Sequence, residues 1–243
     1  MITNKLVAHR GDNTKHPENS YAGLEAALKA GALFIEFDLQ MNLDGSLVVF
    51  HDVNFKRVGD DNSSIFEVSN EQLKHLSIHQ PDRFEGKYNP TQAPYLEEVL
   101  ELLKQYPQAH AFVEIKRESL AYWGLSKVLD KVLATLSGFE SQVTIISFSL
   151  SAINYTQQHG QFRTGFVFYT YDECNYNIAN ILQPDYLICN YDVFPEKETP
   201  WKGNWRWMVY SINDVDMMQQ VVKRDEISLI ETDDIGLMLG VEY

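Results

Sequence analysis

The chain has 243 residues, of which 44% are hydrophobic and 22% are charged, and its formal net charge is −14. This length suits a single domain with a large core, and the acidity argues against general nucleic-acid binding, which needs basic patches. No apolar run is long enough to span a membrane and no signal peptide is visible, so we expect a cytoplasmic protein without a membrane anchor. Cys174 and Cys189 lack metal-ligand spacing and are expected to be free thiols.

Short apolar runs alternate with amphipathic patterns along the chain. Strands are predicted at residues 5–9, 33–39, 46–51, 111–116, 143–148, 164–169, 185–189, 206–211 and 227–231. Helices are predicted at residues 18–30, 95–105, 122–136 and 214–223, with a further short one near 70–76. The alternation predicts an α/β fold, and eight or nine strands favour a closed (β/α)8 TIM barrel over an open sheet. At least one of the nine is then not a barrel strand, which one is left open, and 185–189 is the weakest of them.

The connection between strands 33–39 and 46–51 is too short for a helix. Only QMNLDG separates them, and a crossover to a parallel neighbour needs a dozen residues or more. We therefore expect a hairpin-like return that brings His51 beside Glu36 and Asp38. Residues 52–94 are rich in Pro, Gly and Asp, and they are predicted to form a loop or short insertion after the third strand of a domain that spans 1–243.

Two strands contain pairs of charged residues in otherwise apolar sequence. Glu36 and Asp38 in FIEFDL stand two apart, so their side chains share one face of the strand. Buried without a partner, two carboxylates would be costly, and a divalent cation between them removes that cost. Glu114 and Lys116 in AFVEIK repeat this spacing. Glu114 is a candidate for a third carboxylate ligand of the cation, and Lys116 is a candidate for a contact with a phosphate oxygen. The alternatives are an exposed polar strand face and a buried Glu–Lys ion pair.

Two histidines end apolar strands, His9 in LVAH and His51 in LVVFH. Catalytic groups of α/β barrels lie at strand ends, so these histidines are candidates for a general acid and a general base. Arg10 offers planar donors for a phosphate. A single histidine at a strand end is more often structural. The ordered set as a whole has the parts that metal-assisted phosphodiester cleavage requires.

The stretch from His9 to Asp52 resembles the signature of the glycerophosphodiester phosphodiesterase family. It reads HRG, PENS, EFD and LDGSLVVFHD, and later blocks read APYLEEVLELL, VEIK, VYSIND and ETD. The chain departs from the usual pattern at Tyr210, where the family favours Trp. The resemblance implies a TIM barrel that hydrolyses small-molecule glycerophosphodiesters to sn-glycerol 3-phosphate and an alcohol.

The resemblance also implies roles for seven residues. Glu36, Asp38 and Glu114 would bind a divalent metal ion, Mg2+ or Ca2+, His9 and His51 would be the catalytic acid and base, and Arg10 and Lys116 would hold the phosphate. The glycerol hydroxyl next to the phosphate would be the first nucleophile, and water would then open the cyclic phosphate. The sequence does not assign the acid and base between the two histidines, and it does not give the oligomeric state.

Two alternatives keep the fold and change the function. The same site would serve for cleavage of lysophospholipids or other phosphodiesters, although membrane-lipid substrates call for an apolar or basic rim. A non-catalytic barrel that binds a phosphorylated metabolite is the other alternative. It is disfavoured because all seven polar positions are present.

Overall fold

A computed structural model describes residues 4–196 and 199–241 of the chain. The strands of the described residues are β1 (Leu6–His9), β2 (Phe34–Met41), β3 (Leu47–Val49), β4 (His110–Ile115), β5 (Val143–Ser147), β6 (Arg163–Phe168), β7 (Tyr186–Asn190), β8 (Arg206–Tyr210) and β9 (Ile227–Thr232). The helices are α1 (Tyr21–Lys29), α2 (Lys56–Gly59), α3 (Asn70–Leu73), α4 (Pro81–Phe84), α5 (Leu96–Gln105), α6 (Arg117–Trp123), α7 (Leu125–Leu136), α8 (Leu150–His159), α9 (Glu173–Leu182), α10 (Val215–Val221) and α11 (Ile235–Leu239), with a short 3-10 turn at Tyr191–Val193.

Eight parallel strands close into a barrel. Around it they run β1-β9-β8-β7-β6-β5-β4-β2, and a parallel β1–β2 pairing completes the ring. The predicted (β/α)8 TIM barrel is therefore confirmed. The ninth strand, β3, pairs antiparallel with the end of β2, as expected for a hairpin. The weakest of the predicted strands, 185–189, belongs to the ring, because β7 pairs with both β6 and β8.

The strands alternate between two cores. One set of side chains faces outward and packs under the helices, for example Leu6, Ile35 and Val113. The other set fills the inside of the barrel and consists of Val7, Phe112, Ile146, Val167, Tyr186, Ile188, Met208 and Leu229. Side chains two positions apart share a face of the strand. The residue two positions after an inward-facing one therefore also faces the barrel interior, but it lies closer to the carboxyl end of the strand and to the mouth.

The helices agree with the sequence prediction in part. Ser20 caps α1, since its hydroxyl accepts a hydrogen bond from Gly23 N at 3.0 Å. The predicted helix 122–136 is interrupted at Gly124, which has φ +89°, so that α6 and α7 are separate helices. The helices α8, α9 and α11 do not correspond to any predicted helix. Of the described helices, none combines the length and the apolar character needed to cross a membrane.

Residues 52–94 fold back over the hairpin formed by β2 and β3. They contain the short helices α2, α3 and α4, of which α3 matches the predicted helix near 70–76. A small separate core holds the segment against the barrel, and it consists of Val48, Phe50, Phe55, Val58, Ile65, Phe66, Val68, Leu73, Ile78 and Ala93. The segment thereby covers one side of the barrel mouth.

Candidate active site

The seven residues singled out in the sequence all lie at the carboxyl end of the barrel. His9 ends β1, Glu36 and Asp38 lie in β2, and Glu114 lies in β4. Six of the seven line a cavity of about 240 Å3, whose full lining is His9, Arg10, Glu36, His51, Glu114, Lys116, Ile146, Phe148, Val167, Tyr169, Ile188, Tyr210 and Glu231. Asp38, the seventh, lies behind this wall and contacts two of the lining cations. Active sites of TIM barrels occupy this end of the fold.

Three carboxylates form a compact cluster beneath the cavity. Glu36, Asp38 and Glu114 each offer an oxygen, and the three oxygens lie within 4.8 Å of one another. Burial and the nearby charge of Asp38 raise the pKa of Glu36 well above its usual range, and they raise the pKa of Glu114 as well. Burial and neighbouring negative charges both disfavour the ionised form of a carboxyl group, so crowded buried carboxylates tend to bind protons. Hard oxygen donors at this spacing suit a divalent cation such as Mg2+ or Ca2+.

Two cations border the cluster. Arg10 Nε lies 2.9 Å from Asp38 Oδ2, and Lys116 Nζ lies 3.3 Å from Asp38 Oδ1 and 2.8 Å from Glu114 Oε1. Burial alone would raise the pKa of Asp38, but Arg10 and Lys116 outweigh it and the pKa is lowered. Within the part of the chain that the structure describes, four carboxylates, Glu231 among them, lie at or behind the cavity wall, where Arg10 and Lys116 are the permanently charged cations beside them and His9 neighbours Glu231. The surplus negative charge is what a divalent cation would balance.

The two histidines are both oriented by carboxylates. His9 Nδ1 donates to Asp233 Oδ1 at 2.6 Å, and His51 Nδ1 donates to Asp52 Oδ1 at 2.6 Å. With Nδ1 occupied, Nε2 of each imidazole is the nitrogen available to a substrate. Burial lowers the pKa of His9, but Glu231 and Asp233 act more strongly in the other direction, so that the net shift is upward.

The turn after β1 explains the HRG sequence. Arg10 adopts φ +54° and Gly11 adopts φ +86°, so the chain turns sharply as it leaves the barrel. A Cβ on Gly11 would stand 2.5 Å from the carbonyl carbon of Gly23, which rules out any larger residue without movement. The turn directs the Arg10 backbone N–H to Glu36 Oε2 at 3.2 Å and the guanidinium to Asp38.

The other half of the cavity is apolar. Ile146, Val167 and Ile188 continue the barrel interior, and Phe148 stacks on Tyr169 with ring centroids 4.3 Å apart. Tyr210 belongs to this half, so the position that departs from the family pattern lines the cavity. A substrate bound here would meet charged groups on one side and hydrophobic surface on the other.

Residues outside the predicted set also belong to the site. Glu231 lies with His9 and Glu36 in a second group whose ligand atoms are within 4.8 Å of one another, and burial raises its pKa to about 7. Asp233 accepts from His9, from Asn13 at 2.7 Å and from Asn213 at 2.6 Å. Their spacing in ETD repeats the Glu-x-Asp signal of β2, so the sequence contained a usable indication of both residues.

A family model described as "Glycerophosphoryl diester phosphodiesterase family" matches residues 9–236. The chain is 34% identical over 146 residues to a glycerophosphodiester phosphodiesterase of Caldanaerobacter subterraneus subsp. tengcongensis. It is 34% identical over 149 residues to another of Bacillus altitudinis. Each match covers 59% of this chain, and the chain spans 58% of the length of these relatives.

Solved structures share the fold over almost the whole chain. A phosphodiesterase of Oleispira antarctica, in complex with the product sn-glycerol-3-phosphate, superposes with a TM-score of 0.82 at 20% identity, covering 96% of this chain and 94% of the other. A glycerophosphodiester phosphodiesterase of Agrobacterium tumefaciens gives a TM-score of 0.77 at 22% identity, with coverages of 98% and 100%. These likenesses support the barrel assignment.

Proposed function

The chain belongs to the glycerophosphoryl diester phosphodiesterase family, and from this premise we propose that it hydrolyses glycerophosphodiesters to sn-glycerol 3-phosphate and an alcohol with a bound divalent cation. One observation carries the proposal. Two carboxylate-oriented histidines, His9 and His51, share a cavity with a cluster of three buried carboxylates and two cations. That set supplies acid–base groups and charge neutralisation, which phosphodiester cleavage requires.

Glu36, Asp38 and Glu114 would hold the cation, since their oxygens converge and two of the three have raised pKa values that a cation would reverse. When bound, the cation would neutralise phosphate oxygens as negative charge builds up on them. Either Mg2+ or Ca2+ suits these ligands.

Arg10 and Lys116 would bind the phosphate of the substrate. Both residues line the cavity, and ion pairs with carboxylates of the cluster hold both side chains in place. Their charged groups would therefore be oriented before the phosphate binds. The fork of Arg10 suits two oxygens of one phosphate, whereas Lys116 supplies a point charge.

His9 and His51 would transfer protons from and to the substrate in two steps. In the first, one imidazole takes the proton of the glycerol hydroxyl beside the phosphate as its oxygen bonds to phosphorus, and the other gives a proton to the departing alcohol. In the second, the roles reverse. Water bonds to phosphorus, the ring P–O bond breaks, and the glycerol oxygen recovers its proton.

The proposal is tested by assaying release of sn-glycerol 3-phosphate from glycerophosphocholine and glycerophosphoethanolamine, with Mg2+, Ca2+ or EDTA, in wild type, His9→Ala and Glu36→Ala. We expect metal-dependent turnover and a loss of at least about 100-fold in each variant. Turnover that persists in EDTA, or a fully active His9→Ala variant, would contradict the proposal.

The apolar half of the cavity favours one second candidate, cleavage of lysophospholipids on the same site. Ile146, Phe148, Val167 and Ile188 offer hydrophobic surface to an apolar arm of a substrate. The same assay with lysophosphatidylcholine decides between the two. A lysophospholipid that reacts faster than glycerophosphocholine would replace the substrate class and leave the site unchanged.

A further inference from the structure

Arg57 joins two parts of the site that are far apart in sequence. It lies in α2, the first helix of residues 52–94, and its guanidinium binds two carboxylates at once. Nε lies 2.8 Å from Asp52 Oδ2 and Nη2 lies 3.0 Å from Asp52 Oδ1. Nη1 and Nη2 each lie 2.7 Å from an oxygen of Glu18. A planar fork that makes two bidentate contacts fixes the orientation of both partners.

Asp52 passes this orientation to His51. Its Oδ1 accepts from His51 Nδ1 at 2.6 Å and from Arg57 Nη2 at 3.0 Å, so imidazole and guanidinium share one carboxylate. His51 lines the cavity, whereas Arg57 is absent from that lining as far as the described residues show. Arg57 therefore reaches His51 through Asp52. Its other partner, Glu18, also accepts from Arg10, in a hydrogen bond that does not involve Arg57.

Glu18 is the fixed end of the arrangement. Its side chain is buried, and it accepts from Arg10 Nη1 at 2.8 Å and from Gln80 Nε2 at 2.8 Å as well as from Arg57. Its backbone N–H also donates to Gln80 Oε1 at 3.0 Å. Held by these partners, Glu18 anchors the guanidinium of Arg57 from the side opposite Asp52.

The backbone of His51 has a support that does not involve Arg57. Gln40 Nε2 donates to the carbonyls of His51 at 3.0 Å and Asp52 at 3.3 Å, and Gln40 Oε1 accepts from Ser119 at 2.5 Å. Removal of Arg57 should therefore release the side chains of Asp52 and His51 while the main chain stays in place.

We propose that Arg57 is a positioning residue, which orients the Asp52–His51 pair by anchoring it to Glu18. The first helix of the segment 52–94 thereby contributes to the chemistry through a residue that touches neither substrate nor cation. This inference rests on the proposed function, since it takes His51 to be one of the acid–base groups.

We expect Arg57→Ala to lower kcat by about 10–100-fold, the loss found for outer-shell residues that orient metal-binding histidines, with a smaller change in KM. Arg57→Lys should recover little of this loss, because an ammonium lacks the fork. Guanidinium ion, added below denaturing concentrations, should restore part of the activity of Arg57→Ala. The control is Lys56→Gln, on the neighbouring position of α2, which is expected to keep the wild-type kcat. Urea midpoints verify that each variant is folded.

A double-mutant cycle with Asp52→Ala gives the decisive reading. If Arg57 acts through Asp52, adding Arg57→Ala to Asp52→Ala should lower kcat by no more than about twofold, although the same change in wild type costs far more. Two independent, multiplying losses would overturn the inference, and so would an Arg57→Ala variant with wild-type kcat.

Failure of the proposed function is recognised separately, because wild type itself would then turn over no phosphodiester. In that case the 15N NMR shifts of the His51 ring, which report its tautomer, still test whether Arg57 orients this ring. Wild type should hold the proton on Nδ1, and Arg57→Ala should show mixed tautomers. Unchanged ring shifts in the variant would contradict the inference without reference to activity.

Discussion

Replacing Glu231 by Gln should stabilise the metal-free protein at neutral pH. Glu231 is buried at the cavity wall, and burial raises its pKa to about 7 against an ordinary value of 4.5. Between pH 4.5 and 7 the folded state therefore binds more protons than the unfolded state. By linkage, the stability contributed by this group is fully present below pH 4.5 and is lost as pH rises towards 7.

The size of the effect follows from the same two values. The gap between 4.5 and about 7, at ~1.36 kcal/mol per pKa unit, corresponds to about 3 kcal/mol in the free energy of unfolding. The Gln variant should be more stable than wild type by up to this amount at pH 7 and above. It loses some attraction between Glu231 and His9, which makes the figure an upper bound.

The assay is urea denaturation in EDTA from pH 4 to 8, with wild type, Glu231→Gln and Glu67→Gln. Glu67 is exposed, so its variant controls for the loss of one negative charge. The stability difference of Glu231→Gln should grow with pH, while that of Glu67→Gln stays small. A Glu231→Gln variant that is less stable than wild type at pH 7, or a difference independent of pH, would refute the electrostatic reasoning.

Three further predictions concern single groups. Asp233→Asn leaves the His9 ring without a charged acceptor at 2.6 Å. We expect kcat to fall by about 100-fold or more with little change in folding. A kcat near that of wild type would contradict the role of His9. Lys116→Gln removes a cation from the cavity wall. The KM for a glycerophosphodiester should therefore rise, and this KM should depend less on salt concentration. Steady-state kinetics at two ionic strengths measures both effects, and the absence of both would contradict the prediction. Gly11→Ala adds a Cβ at a residue with φ +86°, only 2.5 Å from the carbonyl carbon of Gly23. Urea denaturation should show that the free energy of unfolding falls by about 1–3 kcal/mol. An unchanged midpoint would refute the steric argument.

The sequence predicted the barrel because its strands are short, apolar and separated by helical patterns. It also predicted the hairpin after β2, because six residues cannot form a crossover. It rated 185–189 as the weakest strand, although β7 is as long as β5 and β8 and pairs on both sides. Which apolar run enters the ring depends on pairing partners on both sides, and local sequence does not contain that information.

The site residues that lie within strands were predictable from the two-residue period of a strand. Glu36 and Glu114 each follow an inward-facing position by two residues, so their common location at the mouth follows from the strand period. The same rule applies to Glu231 after Leu229, although no role was assigned to it.

The contacts around Arg57 were beyond reach of the sequence. Arg57 and Glu18 are 39 positions apart, and their meeting depends on how residues 52–94 fold over the loop that follows β1. No periodicity or local spacing reports such a contact. The carboxylate that orients His51 was next to it in sequence, whereas the one that orients His9 is 224 positions away.

We propose that this barrel cleaves glycerophosphodiesters with the help of a divalent cation held by Glu36, Asp38 and Glu114. The most direct test follows glycerophosphocholine by 31P NMR in the presence of the protein, first in EDTA and then after addition of Mg2+ or Ca2+. We expect a stable diester resonance in EDTA and its conversion to the phosphomonoester resonance of sn-glycerol 3-phosphate once the metal is added. A diester that stays intact with either metal, or that is cleaved equally fast in EDTA, would contradict it.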